Sequence, residues 1–164
     1  MTTAEETRAT GGPRRWSKPV PVPDELSIPY WEGARRNQLV VQRCASCGTH
    51  IHPPRVACRV CQGIELVPTA VAPHGTVYSF TVTYVPFVPG FEEDVPYALV
   101  LVDLDVEPGT RLATILRDCP LEDIAVGMPV KIIFIEVTDG LTLPYAVPDA
   151  RAALSMAEPR FQGR

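Results

Sequence analysis

Two short cysteine pairs, Cys44-Ala-Ser-Cys47 and Cys58-Arg-Val-Cys61, restrict this chain more than anything else in it. Ten residues lie between the pairs, and Gly48 and Gly63 follow them closely. A CxxC step is a tight turn that aims two sulfurs at one point. Two such turns facing each other make a tetrahedral thiolate cage, with bonds of roughly 2.3 Å to a divalent metal. A glycine just past each pair frees the backbone to point its N–H groups back at the sulfurs. In the second knuckle that glycine arrives one position late, because Gln62 intervenes. The pattern predicts a four-cysteine zinc ribbon with Cys44, Cys47, Cys58 and Cys61 as the ligands.

Other uses of these cysteines fit less well. Four unliganded thiols at this spacing would be a coincidence. Two disulfides would need an oxidising compartment, and residues 1–18 hold no apolar stretch resembling a signal peptide, only arginines scattered among polar residues. The chain is therefore expected in the cytoplasm, with its thiols reduced. Iron competes for the same ligands, since rubredoxins also use two CxxC knuckles; zinc is favoured because no electron-transfer feature accompanies the site. His50 and His52 lie between the knuckles but are not needed as ligands beside four cysteines. His74 has no partner in the pattern and is expected at a surface or turn.

The rest of the chain reads as mainly β. At 164 residues and 46% hydrophobic it can bury a core, and no run approaches the roughly 20 apolar residues of a membrane span. Residues 1–24, with Pro13, Pro19, Pro21 and Pro23, are expected as a flexible tail or extended arm. Residues 25–38 hold a short helix: Ser27 can cap it, Pro29 suits its first turn, and Ile28, Trp31 and Ala34 share a side. Residues 39–72 form the ribbon, entered by a strand at 39–42. A module of that size draws much of its folding free energy from the metal.

Residues 73–148 carry five strands. Positions 76–85 alternate, with Tyr78, Phe80, Val82 and Tyr84 on one face. A loop at 86–96 leads to strands at 97–106, 111–117, 129–137 and, past the Asp139-Gly140 turn, 141–146. Five strands joined by turns, with no long helix between them, suit a small closed barrel of the OB type. Residues 149–164 are a C-terminal tail or short helix.

Composition and motifs also limit function. A net charge of −4 and a pI near 5.4 count against a single-stranded nucleic-acid module, although ribbons and OB barrels both serve that purpose. No Ser-His-Asp, Cys-His or paired-carboxylate set stands out. Asp103 and Asp105 share one strand face near its end and are expected to be solvated. Cys119, the odd cysteine, has no evident base beside it and is expected to be structural.

A short helix, a four-cysteine ribbon and a five-stranded barrel, in that order, resemble a known family. The chain is similar to the rubredoxin-like zinc-ribbon plus OB-fold proteins associated with acyl-CoA metabolism. The resemblance covers about residues 27–148. It rests on Tyr30-Trp31-Glu32-Gly33, Leu39-Val40-Val41-Gln42-Arg43-Cys44, Gly75-Thr76-Val77-Tyr78-Ser79-Phe80-Thr81-Val82, Val95-Pro96-Tyr97, Val126-Gly127-Met128-Pro129-Val130 and Gly140-Leu141-Thr142-Leu143-Pro144. It implies a non-catalytic accessory subunit that partners a thiolase-like enzyme, an aldolase or a hotdog hydratase of acyl-CoA and lipid metabolism, and that shares its acyl-CoA ligand. For such a ligand Tyr78, Phe80 and Tyr84 offer stacking surfaces, and Arg111 and Arg117 offer phosphate contacts. The alternative for Tyr78 and Phe80 is ordinary barrel core. Phe87 and Phe91, with Tyr30 and Trp31, are the candidate partner interface.

Overall fold

The computed structural model describes residues 16–150. Residues 1–15, and nearly all of the expected C-terminal helix, fall outside that span. The helix α1, Ile28–Arg35, is followed by β1, Leu39–Cys44, β2, His50–Ile51, and β3, Leu66–Val71. These three strands form one antiparallel sheet in the order β2-β1-β3. Then come β4, His74–Thr83, β5, Tyr97–Leu104, β6, Arg111–Leu116, β7, Pro129–Thr138, and β8, Leu141–Pro148. They close into a barrel in the order β4-β5-β6-β8-β7, sealed where β7 pairs with β4. Among the described residues no helix is long and apolar enough to cross a membrane.

The helix differs from its sequence pattern in two ways. Ser27 occupies the N-cap position but makes no cap bond. Proline at the second helical position removes one of the two N–H groups such a side chain would serve. Ser27 instead exchanges bonds with Asp24: its Oγ accepts from the Asp24 N–H at 2.9 Å, and its own N–H donates to Asp24 Oδ1 at 2.8 Å. The buried face is Tyr30, Gly33 and Ala34, while Ile28 is exposed. Gly33 sets that rotation, because a Cβ there would lie 2.5 Å from Val40 Cγ2. Asn37, at φ 57°, turns the chain out of the helix before residue 38.

Strand β1 is the hinge of the architecture. Leu39, Val40 and Val41 are all buried, so both faces are covered. Leu39 and Val41 join the barrel core, and Val40 lies under Gly33. Tyr30 is in the same core, its ring 5.0 Å from both Trp31 and His52. Strand β3 carries Pro68, which a sheet tolerates at its edge.

The alternation expected along β4 breaks at a bulge between Val77 and Ser79. The extra residue reverses which side chains face inward. Val77 is buried, Tyr78 turns outward, and beyond the bulge Phe80 packs against the core. Tyr78 and Phe80 therefore do not share a face. The described part of the expected N-terminal tail, residues 16–24, is an extended arm. At its start Lys18 pairs with Asp94 at 2.6 Å and lies 4.9 Å from the ring centres of Trp16 and Phe91.

Candidate metal centre

The four knuckle cysteines converge. Their sulfurs all lie within 4.8 Å of one another, with Cys44 and Cys61 at 3.5 Å and Cys47 and Cys58 at 3.6 Å. A tetrahedral site with 2.3 Å bonds puts sulfurs about 3.8 Å apart, so the cage fits a metal ion. Four thiolates suit zinc and iron alike. Cys44 and Cys58 are buried, whereas Cys47 and Cys61 reach the surface. The Thr49 hydroxyl and N–H hold the Cys47 thiol down, to about 6.

The knuckles are built alike. The Cys44 carbonyl accepts from the Gly48 N–H at 2.9 Å, and the Cys58 carbonyl accepts from the Gln62 N–H at 3.1 Å. The Cys44 N–H donates to the Thr49 carbonyl at 2.9 Å, and the Cys58 N–H donates to the Gly63 carbonyl at 2.8 Å. Gly48 (φ 79°) and Gln62 (φ 61°) thus fill equivalent left-handed positions. The late glycine has its own reason. A Cβ on Gly63 would lie 3.1 Å from Ser46 Oγ and 3.4 Å from the sulfurs of Cys44 and Cys61.

The histidines stay outside the cage. His50 faces the barrel: its N–H donates to Glu107 Oε1, and its Nδ1 lies 2.7 Å from Glu107 Oε2. Desolvation opposes ionisation of Glu107, but the two bonds from His50 hold the carboxyl below its usual range. The Thr110 hydroxyl donates to the His50 carbonyl at 3.0 Å, and Arg59 reaches the Pro108 carbonyl at 3.3 Å. The β5–β6 turn therefore grips the ribbon. Sequence reasoning missed this clamp; its one signal was a Glu-Pro-Gly-Thr turn rather than a metal motif. His52 is half-buried against Tyr30, where desolvation pushes its pKa down to about 4. His74 lies at the start of β4 and bonds Asp149 at 3.0 Å.

The other candidates divide. Arg111 is already engaged: its guanidinium lies 3.4 Å from the centre of the Tyr78 ring, and its Nε lies 3.3 Å from Asp103 without the angle of a hydrogen bond. Asp103 is thus an ion-pair partner rather than merely solvated. Arg117 is exposed, 5.1 Å from the ring centre of Tyr145, beside a recess of about 550 Å³ that includes Tyr97, Leu116 and Leu121. Phe80 belongs to the core, which removes it from the ligand candidates. Tyr30, 8% exposed, offers no docking surface, and Trp31 is half-buried. Phe91 packs on Tyr97 at 5.5 Å, leaving Phe87 and Tyr84 in the open. Cys119 packs against the core, and burial with nearby Asp123 and Glu122 pushes its thiol up.

Comparison with known proteins places this architecture. The model of the ChsH2 rubredoxin-like zinc ribbon domain matches residues 31–66, and that of the ChsH2 C-terminal OB-fold domain matches residues 68–134. A DUF35 domain-containing scaffold protein of Methanocaldococcus jannaschii is 31% identical, over 68% of this chain and 78% of its own length. This chain belongs to the DUF35 family. A DUF35-family relative of known structure, a chain of the Ltp2-ChsH2(DUF35) aldolase, is 37% identical with a TM-score of 0.70, over 79% of this chain and 98% of that one. The probable enoyl-CoA hydratase alpha subunit of Thermomonospora curvata is 37% identical over 80% of this chain. This chain spans only 40% of that subunit's length.

Proposed function

We propose that this DUF35 chain is a zinc-bearing, non-catalytic subunit that partners an acyl-CoA enzyme of the hydratase, aldolase or thiolase-like class, in the reducing cytoplasm. One observation carries the proposal: ribbon and barrel together align with nearly the whole of a DUF35 chain from an aldolase. The likeness to a hydratase alpha subunit supports the acyl-CoA class. The tetrathiolate cage supports a metal held by Cys44, Cys47, Cys58 and Cys61, and the likeness to a domain described as a zinc ribbon favours zinc over iron. For acyl-CoA itself, Arg117 is the cation left for a phosphate, since Arg111 is taken by Tyr78 and Asp103.

Mild-salt co-purification from the native host tests the partnership, with elemental analysis of the same sample. The proposal expects an acyl-CoA enzyme enriched with the chain, about one zinc per chain, and no thioester turnover by the chain alone. Recovery of the chain without such an enzyme overturns the accessory role. Iron in place of zinc, with its visible thiolate absorption, overturns the metal assignment.

A further inference from the structure

We propose that the bare apolar segment that opens the β4–β5 loop, Tyr84, Val85, Phe87 and Val88, docks this chain onto an enzyme subunit offering an apolar socket rimmed by lysine or arginine. The proposal rests on the accessory role above and names the surface that serves it. Four large apolar side chains crowd five consecutive positions, and all are exposed: Tyr84 69%, Val85 59%, Phe87 85% and Val88 41%. A monomer gains nothing from that arrangement, whereas a central aromatic anchor is what interfaces use.

The later part of the same loop, from Gly90 to Asp94, is fixed. Lys18 lies 4.9 Å from the Phe91 ring centre and 2.6 Å from the Asp94 carboxylate. Phe91 packs on Tyr97 at 5.5 Å. Gly90 sits so close to the arm that a Cβ there would lie 2.7 Å from the Ser17 carbonyl oxygen. The first part of the loop is thus exposed while the part that follows is braced on one side by the arm and on the other by β5. A partner that takes the exposed part loses little in ordering the loop.

Charge selects the partner. The loop and the neighbouring segment 117–123 carry six carboxylates, Glu92, Glu93, Asp94, Asp118, Glu122 and Asp123, against Arg117 and the already paired Lys18. Asp94 and Asp118 line one recess, Glu92 and Glu93 line another that shares Lys18, Asp94 and Arg117, and Glu122 and Asp123 lie near Cys119 of the first, so these charges act on one region of the barrel. Apart from the point charge of Arg117, such a region attracts a basic surface and repels an extended anionic one, which points away from nucleic acid and from an acidic protein face.

The test uses the full chain and the acyl-CoA enzyme recovered with it, identified by peptide mass spectrometry and then produced separately. Phe87→Ala is expected to weaken binding at least 30-fold and Tyr84→Ala about 10-fold, with zinc content and unfolding midpoint unchanged. The double substitution Glu122→Lys/Asp123→Lys, on exposed positions outside the apolar segment, is expected to slow association several-fold at low salt and little at high salt. Lys18→Ala is expected to weaken binding by loosening the braced part of the loop. If the enzyme is recovered and binds all four variants as tightly as the parent, the surface lies elsewhere and only this proposal falls. If no acyl-CoA enzyme is recovered, the accessory role falls and this surface with it. If the parent instead self-associates and Phe87→Ala makes it monomeric, the occupant is a second copy and the enzyme-socket assignment is overturned.

Discussion

Two buried clusters can be set side by side. The ribbon's own cluster is Cys44, Ile51 and Cys58, with Leu66 against it, so two of its three fully covered side chains are cysteines of the candidate metal cage. The barrel's cluster draws inward-facing residues from all five barrel strands and borrows Tyr30, Leu39 and Val41 from the helix and β1. The barrel is held by apolar burial in the usual way. The ribbon beyond β1 buries little apolar surface of its own, so its knuckles depend on four sulfurs and whatever they bind, with the β5–β6 turn gripping them from outside. The boundary between the two regimes therefore runs along β1, which belongs to both, and not between β3 and β4.

Stripping the metal should give the largest effect. Structural zinc sites supply on the order of 10 kcal/mol to their modules. A strong chelator should abolish hydrogen-exchange protection at the knuckles and β2 while β5 stays protected. Leu39 and Val41 keep β1 attached, because their partners are barrel residues. Simultaneous loss of β5 protection would erase the comparison and make the molecule one cooperative unit.

The reverse experiment starts in the barrel. Leu112 is 2% exposed within the larger cluster. Leu112→Ala should cost about 3 kcal/mol in denaturant unfolding, the usual scale for a buried leucine. The zinc-to-protein ratio of the folded fraction should not change. Reduced metal retention in that variant would show that the Glu107–Thr110 clamp transmits barrel strain to the knuckles.

The same division explains what the sequence disclosed. The cage was legible because four cysteines at fixed spacing admit few geometries. The strands at 97–104, 111–116 and 129–138 were legible as strand-length, mostly apolar runs set between turns such as Glu107-Pro108-Gly109-Thr110 and Asp139-Gly140. Tyr78 was misplaced because a bulge adds one residue and leaves no compositional trace. Tyr30 looked like a surface aromatic because its burial depends on Gly33 letting α1 settle onto β1, a tertiary fact. The pairings Lys18–Asp94, His50–Glu107 and His74–Asp149 join residues 57 to 76 positions apart, and nothing local announces them. Strands β2 and β3 escaped notice because one is two residues long and the other carries Pro68.

Acid should sharpen the comparison at the joint between the regions. His52 is half-buried against Tyr30 with its Nδ1 covered and unpartnered, and desolvation lowers its pKa from 6.5 to about 4. Above pH 6.5 the ring is neutral whether the chain is folded or not. Between pH 6.5 and about 4 the unfolded chain takes up a proton that the folded one refuses, so stability falls with pH. The full loss, reached below pH 4, is at most about 3 kcal/mol. Loss of the His50–Glu107 pair through carboxylate protonation comes lower, because Glu107 titrates below its ordinary 4.5. His52→Phe should keep the ring contact and flatten the stability profile between pH 7 and pH 5. An unchanged slope in that variant would place the acid sensitivity elsewhere.

The smallest expected effect tests whether the knuckles are energetically as well as geometrically alike. Gly48 and Gln62 occupy matching left-handed positions, yet only one is glycine. A side chain there costs about 1–2 kcal/mol relative to glycine, partly offset because glycine loses more freedom on folding. Gln62→Gly should therefore gain roughly 0.5 kcal/mol, read as slower zinc loss to a competing chelator. Gly48→Ala should lose a similar amount or somewhat more, up to about 1 kcal/mol, through its left-handed backbone, since the Arg43 Nη2 that would lie 3.1 Å from the new Cβ ends an exposed, flexible side chain that can move aside. If the two substitutions shift zinc retention in these opposite directions, backbone conformation at the knuckle limits how firmly the ribbon holds its metal. If Gln62→Gly instead speeds zinc loss, the Gln62 side chain is contributing to the knuckle, and the two halves of the cage are alike in shape only.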